Sequence, residues 1–344
     1  MIGIVYHEDY NKYDLGVDHP FIGDKPHKTM EMLKEKKILD QIQQFTAKKA
    51  TDEDILRVHT KKYLDQIKKL SKQGGKLSAD TPVPKGIYKH ASHAVGGTLL
   101  AGEKLFQDFN CMVNPLGGFH HTGTDFSSGF CFFNDIAMVI EKLRIKQNIK
   151  RFMIIDIDVH HADGTQEIYY NDPSVLNISF HQDGKTLYPH TGSIEEIGEG
   201  VGRGYTINLP FPPRTGGGVF LRFFKELIPK FMKQFEPEFI IFQSGVDTHY
   251  SDPLGDLEYN FQTYYYAARR IKNLAERYCD KLLVLMGGGY NNEASATAYY
   301  NEMTGLLNQK NFVKEESRAT FQQFYEANKN RKKLKEVLNS YWGL

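Results

Sequence analysis

Phe152 to Gly164 reads Phe-Met-Ile-Ile-Asp-Ile-Asp-Val-His-His-Ala-Asp-Gly, an apolar run that gives way to carboxylates and imidazoles. Phe152–Ile155 has the length and composition of a buried strand. Similar short runs recur at Ile2–Tyr6, Cys111–Asn114, Val175–Phe180, Tyr205–Leu209, Phe239–Phe242 and Leu282–Leu285, with longer amphipathic stretches between them. From Phe220 to Phe235 the residues Phe220, Phe223, Phe224, Leu227, Ile228, Phe231 and Phe235 fall on one helical face, and their aromatics read as core. This alternation predicts an α/β fold with a single open, mostly parallel β-sheet and helices on both faces. With no repeat, low-complexity tract or Pro/Ser-rich linker, residues 1–344 read as one domain. Its end, 309–344, is a charged helical extension in which Leu334, Val337, Leu338, Tyr341 and Trp342 make a stripe suited to docking on the body or on a neighbouring subunit.

Composition narrows the function. Hydrophobic residues make up 40% and charged residues 25% of the 344, ordinary globular values that argue against a disordered or fibrous chain. No run approaches ~18 apolar residues, so no membrane span is expected, and Met1–Tyr6 lacks the features of a secretory signal. Cys111, Cys131 and Cys279 show no Cys-x-x-Cys spacing, so neither a disulfide framework nor a thiolate zinc site is suggested. An intracellular, cytoplasmic protein follows as the expectation. The net charge of +1 lacks the footprint of a dedicated nucleic-acid binder, and no direct nucleic-acid contact is expected. The basic clusters at Lys34–Lys37 and Lys329–Lys335 read as solvated helix faces.

The chemistry collects after four of the strands. Cys111–Asn114 leads to Gly117-Gly118-Phe119-His120-His121, and Phe152–Ile155 to Asp156 through Gly164. Phe239–Phe242 leads to Ser244-Gly245-Val246-Asp247, and Leu282–Leu285 to Gly287-Gly288-Gly289-Tyr290. Ligands bind outside the carboxyl ends of strands in open α/β sheets, so four distant segments are expected to share one cleft. Alternate residues of an extended segment point the same way, which lets Asp158 and His160 face one ion, with Asp247 arriving from a neighbouring strand end. One imidazole and two carboxylates suit Zn²⁺, with Fe²⁺ as an alternative, and three ligands leave coordination positions open. Adjacent histidines such as His120-His121 are ordinarily packing or surface residues. Beside a metal they become candidate general bases, oriented by Asp156 and Asp163. A glycine run is ordinarily a tight turn, but here it delivers Tyr290, whose phenol is able to hydrogen-bond an oxyanion.

Taken together, these segments resemble the histone deacetylase family of the arginase/deacetylase fold, most closely its bacterial and archaeal acetoin-utilisation branch. The likeness runs from Tyr6 to about Leu307. It includes Asp18-His19-Pro20-Phe21, His59 to Tyr63, Asn114 to His121, Ser128 to Asp135, Asp156 to Gly164, Asp247 to Pro253 and Gly287 to Asn291. The resemblance implies a zinc-dependent deacetylase acting on N-ε-acetyl-lysine in proteins or on a related acetylated amine. In it Asp158, His160 and Asp247 hold the metal, His121 is the general base, His120 its electrostatic partner, and Tyr290 the electrophilic donor. Asp156 and Asp163 stand behind the histidines. Phe130 and Tyr188 are implied to wall an acyl-lysine channel, with Leu254 at the rim, Asp80 meeting the substrate backbone, and Gly129 and Gly288 flanking the acyl group. Two structural K⁺ sites are implied as well, one from Asp156, Asp158, His160, Ser179 and Phe180, the other from Tyr169, Asp172, Val175 and Tyr205.

The sequence departs from the family pattern in places. Lys25 stands where relatives have an Arg lining an internal cavity, keeping the charge but losing the planar fork. Thr122-Gly123 follows the histidines in place of the commoner Ala, and the tail beyond Leu307 falls outside the resemblance. Two other readings compete. An arginase-like dimetal ureohydrolase needs carboxylates where this chain has Ala162 and His249. A non-catalytic acyl-lysine binder is expected to have lost Tyr290 or a ligand, and all are present. The residues leave open acetylated proteins, acetylpolyamines and small acetylated metabolites as substrates, and an oligomer formed through the C-terminal helix.

Overall fold

Each apolar run becomes a strand. A computed structural model describes residues 1–21, 23–316 and 321–344. In it β1 (Ile2–Tyr6), β2 (Gln43–Thr46), β3 (Gly75–Lys76), β4 (Pro82–Val83) and β5 (Cys111–Asn114) are followed by β6 (Phe152–Asp156), β7 (Val175–Gln182), β8 (Thr206–Phe211), β9 (Phe239–Gln243) and β10 (Leu282–Leu285). Eight of them make one parallel sheet in the order β2-β1-β5-β10-β9-β6-β7-β8, and β3 pairs with β4 as a small antiparallel ribbon. Along β9, Ile240 and Phe242 enter one apolar core while Phe239 and Ile241 enter the other. Along β10, Leu282 and Val284 divide from Leu283 and Leu285 in the same way. Helices cover both faces, so a strand's period-two alternation appears as two buried faces.

The four strands followed by chemistry, β5, β10, β9 and β6, are consecutive neighbours at the centre of the sheet. Adjacent strands lie roughly 4.8 Å apart, so four turns distant in sequence open side by side.

The predicted aromatic helix spans Gly217–Phe235 and buries its entire predicted face. The last helix, Phe321–Leu338, lies beside β8. Leu334, Leu338 and Trp342 are buried on the chain's own body. Trp342 Nε1 donates to the Gly204 carbonyl at 2.7 Å, and its ring packs on Phe231 and Tyr205. Arg331 and Lys335 from this helix both pair with Glu226, at 2.6 and 2.7 Å. Of the two docking places open to the stripe, it occupies the body. Lys34–Lys37 are exposed, as are Lys329, Lys332 and Lys333. Among the described residues no helix is long and apolar enough to cross a membrane.

Candidate active site

Beyond Asp156 the β6 ladder continues for one bond, from Ile157 N–H to the Gln243 carbonyl at 3.0 Å. Carboxylates then take over. Asp158 N–H donates to Asp156 Oδ1 at 3.0 Å, Val159 N–H to Asp247 Oδ1 at 2.8 Å, and His160 N–H to Asp158 Oδ1 at 3.1 Å. Asp158 and His160 therefore sit in a bend rather than on one side of an extended strand, which corrects the reason expected for their convergence while keeping the outcome. His160 Nδ1 lies 3.1 Å from Asp158 Oδ1 and 3.2 Å from Asp247 Oδ2. Two ligand atoms about 2.1 Å from one tetrahedral ion are separated by about 3.4 Å, so this spacing fits a single Zn²⁺-sized cation. A Cβ on Gly288 would run into both carboxylates and one on Gly245 into Asp158, so the glycines are what let the turns close on the cradle.

Electrostatics agree with that fit. Burial opposes charge on His160, but Asp158 and Asp247 outweigh it and push its pKa up to about 10. Burial, reinforced by Asp158, pushes Asp247 up to about 8. Both shifts express a deficit of positive charge that a divalent cation would meet. Gln243 braces the cradle, donating from Nε2 to Asp158 Oδ2 at 3.1 Å and accepting from Gly245 N–H at 2.6 Å. Sequence reasoning missed it; the signal was a single amide closing the otherwise apolar Phe-Ile-Ile-Phe run.

The two histidines are held from opposite sides. His120 Nδ1 lies 2.8 Å from Asp156 Oδ2 and His121 Nδ1 2.6 Å from Asp163 Oδ1, while the two Nε2 atoms face each other at 3.1 Å. Facing nitrogens that close share one proton. Burial opposes charge on His120, yet Asp156 and Asp158 outweigh it and raise its pKa to about 9. At His121 burial and the neighbouring His120 charge act together and bring the pKa to about 4. The shared proton therefore belongs to His120, and the unprotonated Nε2 of His121 accepts it, a bond that His121 must exchange for one to water before it can act as a base. Their loop is anchored by buried Asp135, which accepts Gly118 N–H at 3.0 Å and Phe119 N–H at 2.8 Å. Gly129, at φ +54°, leaves room for the His121 ring that a Cβ would strike.

An outer cavity of about 320 Å³ meets these groups. Phe130, Leu187, Tyr188 and Leu254 supply apolar walls, and His121, His160 and Tyr290 line it together with Gly129 and Asp80. Leu187 was not foreseen. Asp80 does line the cavity, but its carboxylate already accepts Gly129 N–H at 3.0 Å and the Ser78 and Thr81 hydroxyls at 2.5 and 3.0 Å, so it clamps the channel wall. Tyr290 is held by its backbone N–H, 2.7 Å from Asp252 Oδ2, and burial together with Asp247 and Asp158 pushes its phenol well above the usual range. Asp252, another residue the sequence reading left without a role, also accepts Leu254 N–H at 3.0 Å. Behind the cradle lies an inner cavity of about 20 Å³, lined by His120, Gly288 and Tyr290 among others. That is room for about one water. Lys25 is buried beside it rather than lining it, donates to the Gly287 carbonyl, and is drawn down to about 8 by burial against the pull of Asp247 and Asp158.

Residues 19–306 match the model of the histone deacetylase domain. The chain belongs to the histone deacetylase family. It is 38% identical over 302 residues to a probable deacetylase of Archaeoglobus fulgidus, covering 86% of this chain and 83% of that protein. It is 35% identical over 299 residues to the acetoin utilization protein AcuC of Bacillus subtilis, covering 83% and 76%. The crystal structure of the HDA15 HD domain superposes with a TM-score of 0.89 at 23% identity, over 99% of this chain and 95% of that one, and shares the fold. Deacetylation of an acyl-amide by a hydrolase of this generally metal-dependent family is the activity that membership brings.

The remaining positions implied for the deacetylase fall in two places. Asp156 and Ser179 are register partners across β6 and β7, next to Phe180 and the cradle. Tyr169, Asp172 and Val175 are joined at the start of β7 by backbone bonds of 3.1 and 3.3 Å, Tyr205, just before β8, accepts Asn177 N–H at 2.9 Å, and Arg144 pairs with Asp172 at 2.6 Å. A second trio, His7, Asp9 and His93, also brings possible ligand atoms within 4.8 Å of one another, at the carboxyl end of β1. There the two imidazoles stack at 4.1 Å with planes 16° apart, and Asp9 pairs with Lys89 at 2.7 Å and Lys12 at 3.1 Å.

Proposed function

We propose that this deacetylase hydrolyses the acetyl amide of N-ε-acetyl-lysine in proteins, with acetylpolyamines or other small acetylated amines as the alternative, and that Asp158, His160 and Asp247 hold its metal. The observation that carries the reading is the meeting of an apolar-walled channel with an unprotonated His121 Nε2 and a protonated Tyr290 phenol. Such a channel accepts the methylenes of a neutral acyl-lysine and excludes its charged product.

When bound, Zn²⁺, or Fe²⁺ in its place, polarises the acyl carbonyl and acidifies water. His121 takes the proton of the attacking water at Nε2, and Asp163 stabilises the imidazolium through Nδ1–H. Tyr290 donates to the oxyanion that develops on the carbonyl. His120, charged against Asp156, keeps His121 poor in protons until that step, and the histidine pair returns a proton to the departing amine. Phe130 and Tyr188 flank the chain, Gly129 and Gly288 the acyl group, and Leu254 the rim. K⁺ at the Ser179–Phe180 and Tyr169–Tyr205 positions is a structural part of this reading. A panel of acetyl-lysine peptides, acetylpolyamines and longer acyl-lysines, compared by kcat/KM with the metal-loaded enzyme, tests it. The greatest kcat/KM on acetyl-lysine peptides supports the reading, and turnover of none of the panel refutes it.

A further inference from the structure

His249 stands two residues after Asp247, where a dimetal relative would need a carboxylate, and its ring points away from the cradle. Nε2 lies 3.0 Å from Glu315 Oε2, and Nδ1 lies 2.9 Å from Ser251 Oγ. Glu315 belongs to the segment beyond the matched domain, which ends at residue 306. Its carboxylate also accepts the Tyr250 hydroxyl at 3.0 Å and Phe261 N–H at 2.9 Å, while its backbone is clasped by Gln262 at 2.9 and 2.7 Å. His249 is 2% exposed and stacks on Phe261 at 4.4 Å with planes 12° apart.

The directions of the hydrogen bonds follow from the two ends of the chain together. Asn291, next to Tyr290, accepts Ala294 N–H at Oδ1, so its Nδ2 faces Ser251 and donates to Oγ at 3.1 Å. Glu315 Oε2, which also takes Phe261 N–H, only accepts, so the ring proton of His249 that faces it is on Nε2. His249 Nδ1 is then an acceptor, for Ser251 N–H at 3.4 Å and for the Ser251 hydroxyl. One directed chain thus runs from the C-terminal extension through the Asp247 loop to the turn that carries Tyr290.

We propose that Glu315 is a positioning residue of this deacetylase: from outside the matched domain it fixes, through His249, the loop that presents Asp247 and, through Ser251 and Asn291, the turn that presents Tyr290. The kcat arm of the test rests on the function proposed above, whereas the metal arm does not. Groups bonded directly to metal ligands typically govern affinity or activity by about 10–100-fold, and Glu315, which acts through the ligand's loop and not on a ligand, belongs at the lower end, about 10-fold. In the full chain, Glu315→Ala is expected to weaken Zn²⁺ binding to the metal-stripped protein, read by chelator competition, and to lower kcat by that factor with KM little changed. Glu315→Gln, whose Oε1 still accepts from His249 and Phe261, is expected to recover most of both. Trp342→Ala loosens the end of the extension, and is expected to lower Tm while Zn²⁺ affinity and kcat stay near wild type. Wild-type Zn²⁺ affinity and kcat in a folded Glu315→Ala protein overturn the proposal, as does an equal loss in Trp342→Ala. Should Glu315→Ala fail to fold, Ser251→Ala cuts the same chain without touching the extension; a lowered kcat supports the proposal and a wild-type kcat overturns it. Zn²⁺ affinity that falls in Glu315→Ala, in a protein whose wild type hydrolyses no acyl-amide, refutes the function and keeps the positioning role.

Discussion

The trios Asp158–His160–Asp247 and His7–Asp9–His93 are assembled from the same kinds of side chain, both at the carboxyl ends of parallel strands, and only the first is organised for a cation. In the first, His160 Nδ1 approaches both carboxylates at 3.1 and 3.2 Å, and among the described residues no lysine or arginine forms an ion pair with either of them, Lys25 acting on them only from a distance. In the second, nearly parallel rings direct their lone pairs along parallel planes, and two lysines already answer the charge of Asp9. His7 Nδ1 is also engaged, accepting Asp9 N–H at 2.9 Å. Ligand type and proximity are therefore insufficient. Convergent lone pairs, unanswered negative charge and an adjoining cavity separate a site from a cluster.

The largest effect expected is at Asp247. Asp247→Ala removes one of three ligands and one of two charges, so bound metal and activity should both fall to background; stoichiometric divalent metal by elemental analysis in that variant would break the contrast. Next come the histidines. Activity should decline as pH falls through the His121 pKa, lowered to about 4, because the base loses its lone pair. It should also decline as pH rises through the His120 pKa, raised to about 9, because the charge beside His121 is lost. These limbs belong to the coupled pair, and a bound dication moves both to lower pH. His121→Ala should nearly abolish turnover with metal retained. His120→Ala should stay measurably active with its acid limb displaced upward, since the cation that depresses His121 is gone. The reverse pattern in the two pH–rate curves would exchange the roles. Tyr290→Phe should lower kcat by about 10²–10³-fold with metal content unchanged, the usual result of losing one oxyanion donor; unaltered turnover would remove Tyr290 from the chemistry.

The central trio was legible before the fold was known because its strands announce themselves. Phe152–Ile155, Phe239–Phe242 and Leu282–Leu285 are apolar on both faces, and polar chemistry begins where they end. β2 gave no such signal: Gln43 and Gln44 are exposed at the sheet edge, and nothing in their pattern marks a strand. β3 and β4, of two residues each, are too short for periodicity. Within the site, residues named from motif spacing do converge in space, whereas the braces were not singled out. Asp135 and Asp252 act by accepting backbone N–H groups of other segments, and Gln243 by donating to the side chain of Asp158, relations that spacing along one chain does not encode. The same blindness hid the bond between Glu315 and His249, 66 positions apart.

The smallest effect tests the other side of the comparison. Burial, with the charge of His7, depresses the pKa of His93 to about 4, so at neutral pH the ring is uncharged and its contact with Asp9 is not an ion pair. His93→Ala should therefore leave metal stoichiometry and kcat at wild-type values and destabilise the fold by only about 1 kcal/mol, chiefly through lost stacking on His7. The sign of the pH dependence follows from the depressed pKa. The stability contributed by a neutral His93 is fully present above its unfolded pKa near 6.5 and is lost as pH falls through about 4, because the unfolded chain takes up the proton first. The advantage of wild type over His93→Ala should shrink as pH falls across that window and then reverse. Paired denaturation curves from pH 7 to pH 4, with a Zn²⁺ titration of each protein, decide the matter: a wild-type advantage that grows toward acid would overturn the depressed pKa, and a second Zn²⁺ equivalent in wild type that His93→Ala lacks would make the edge cluster a metal site after all.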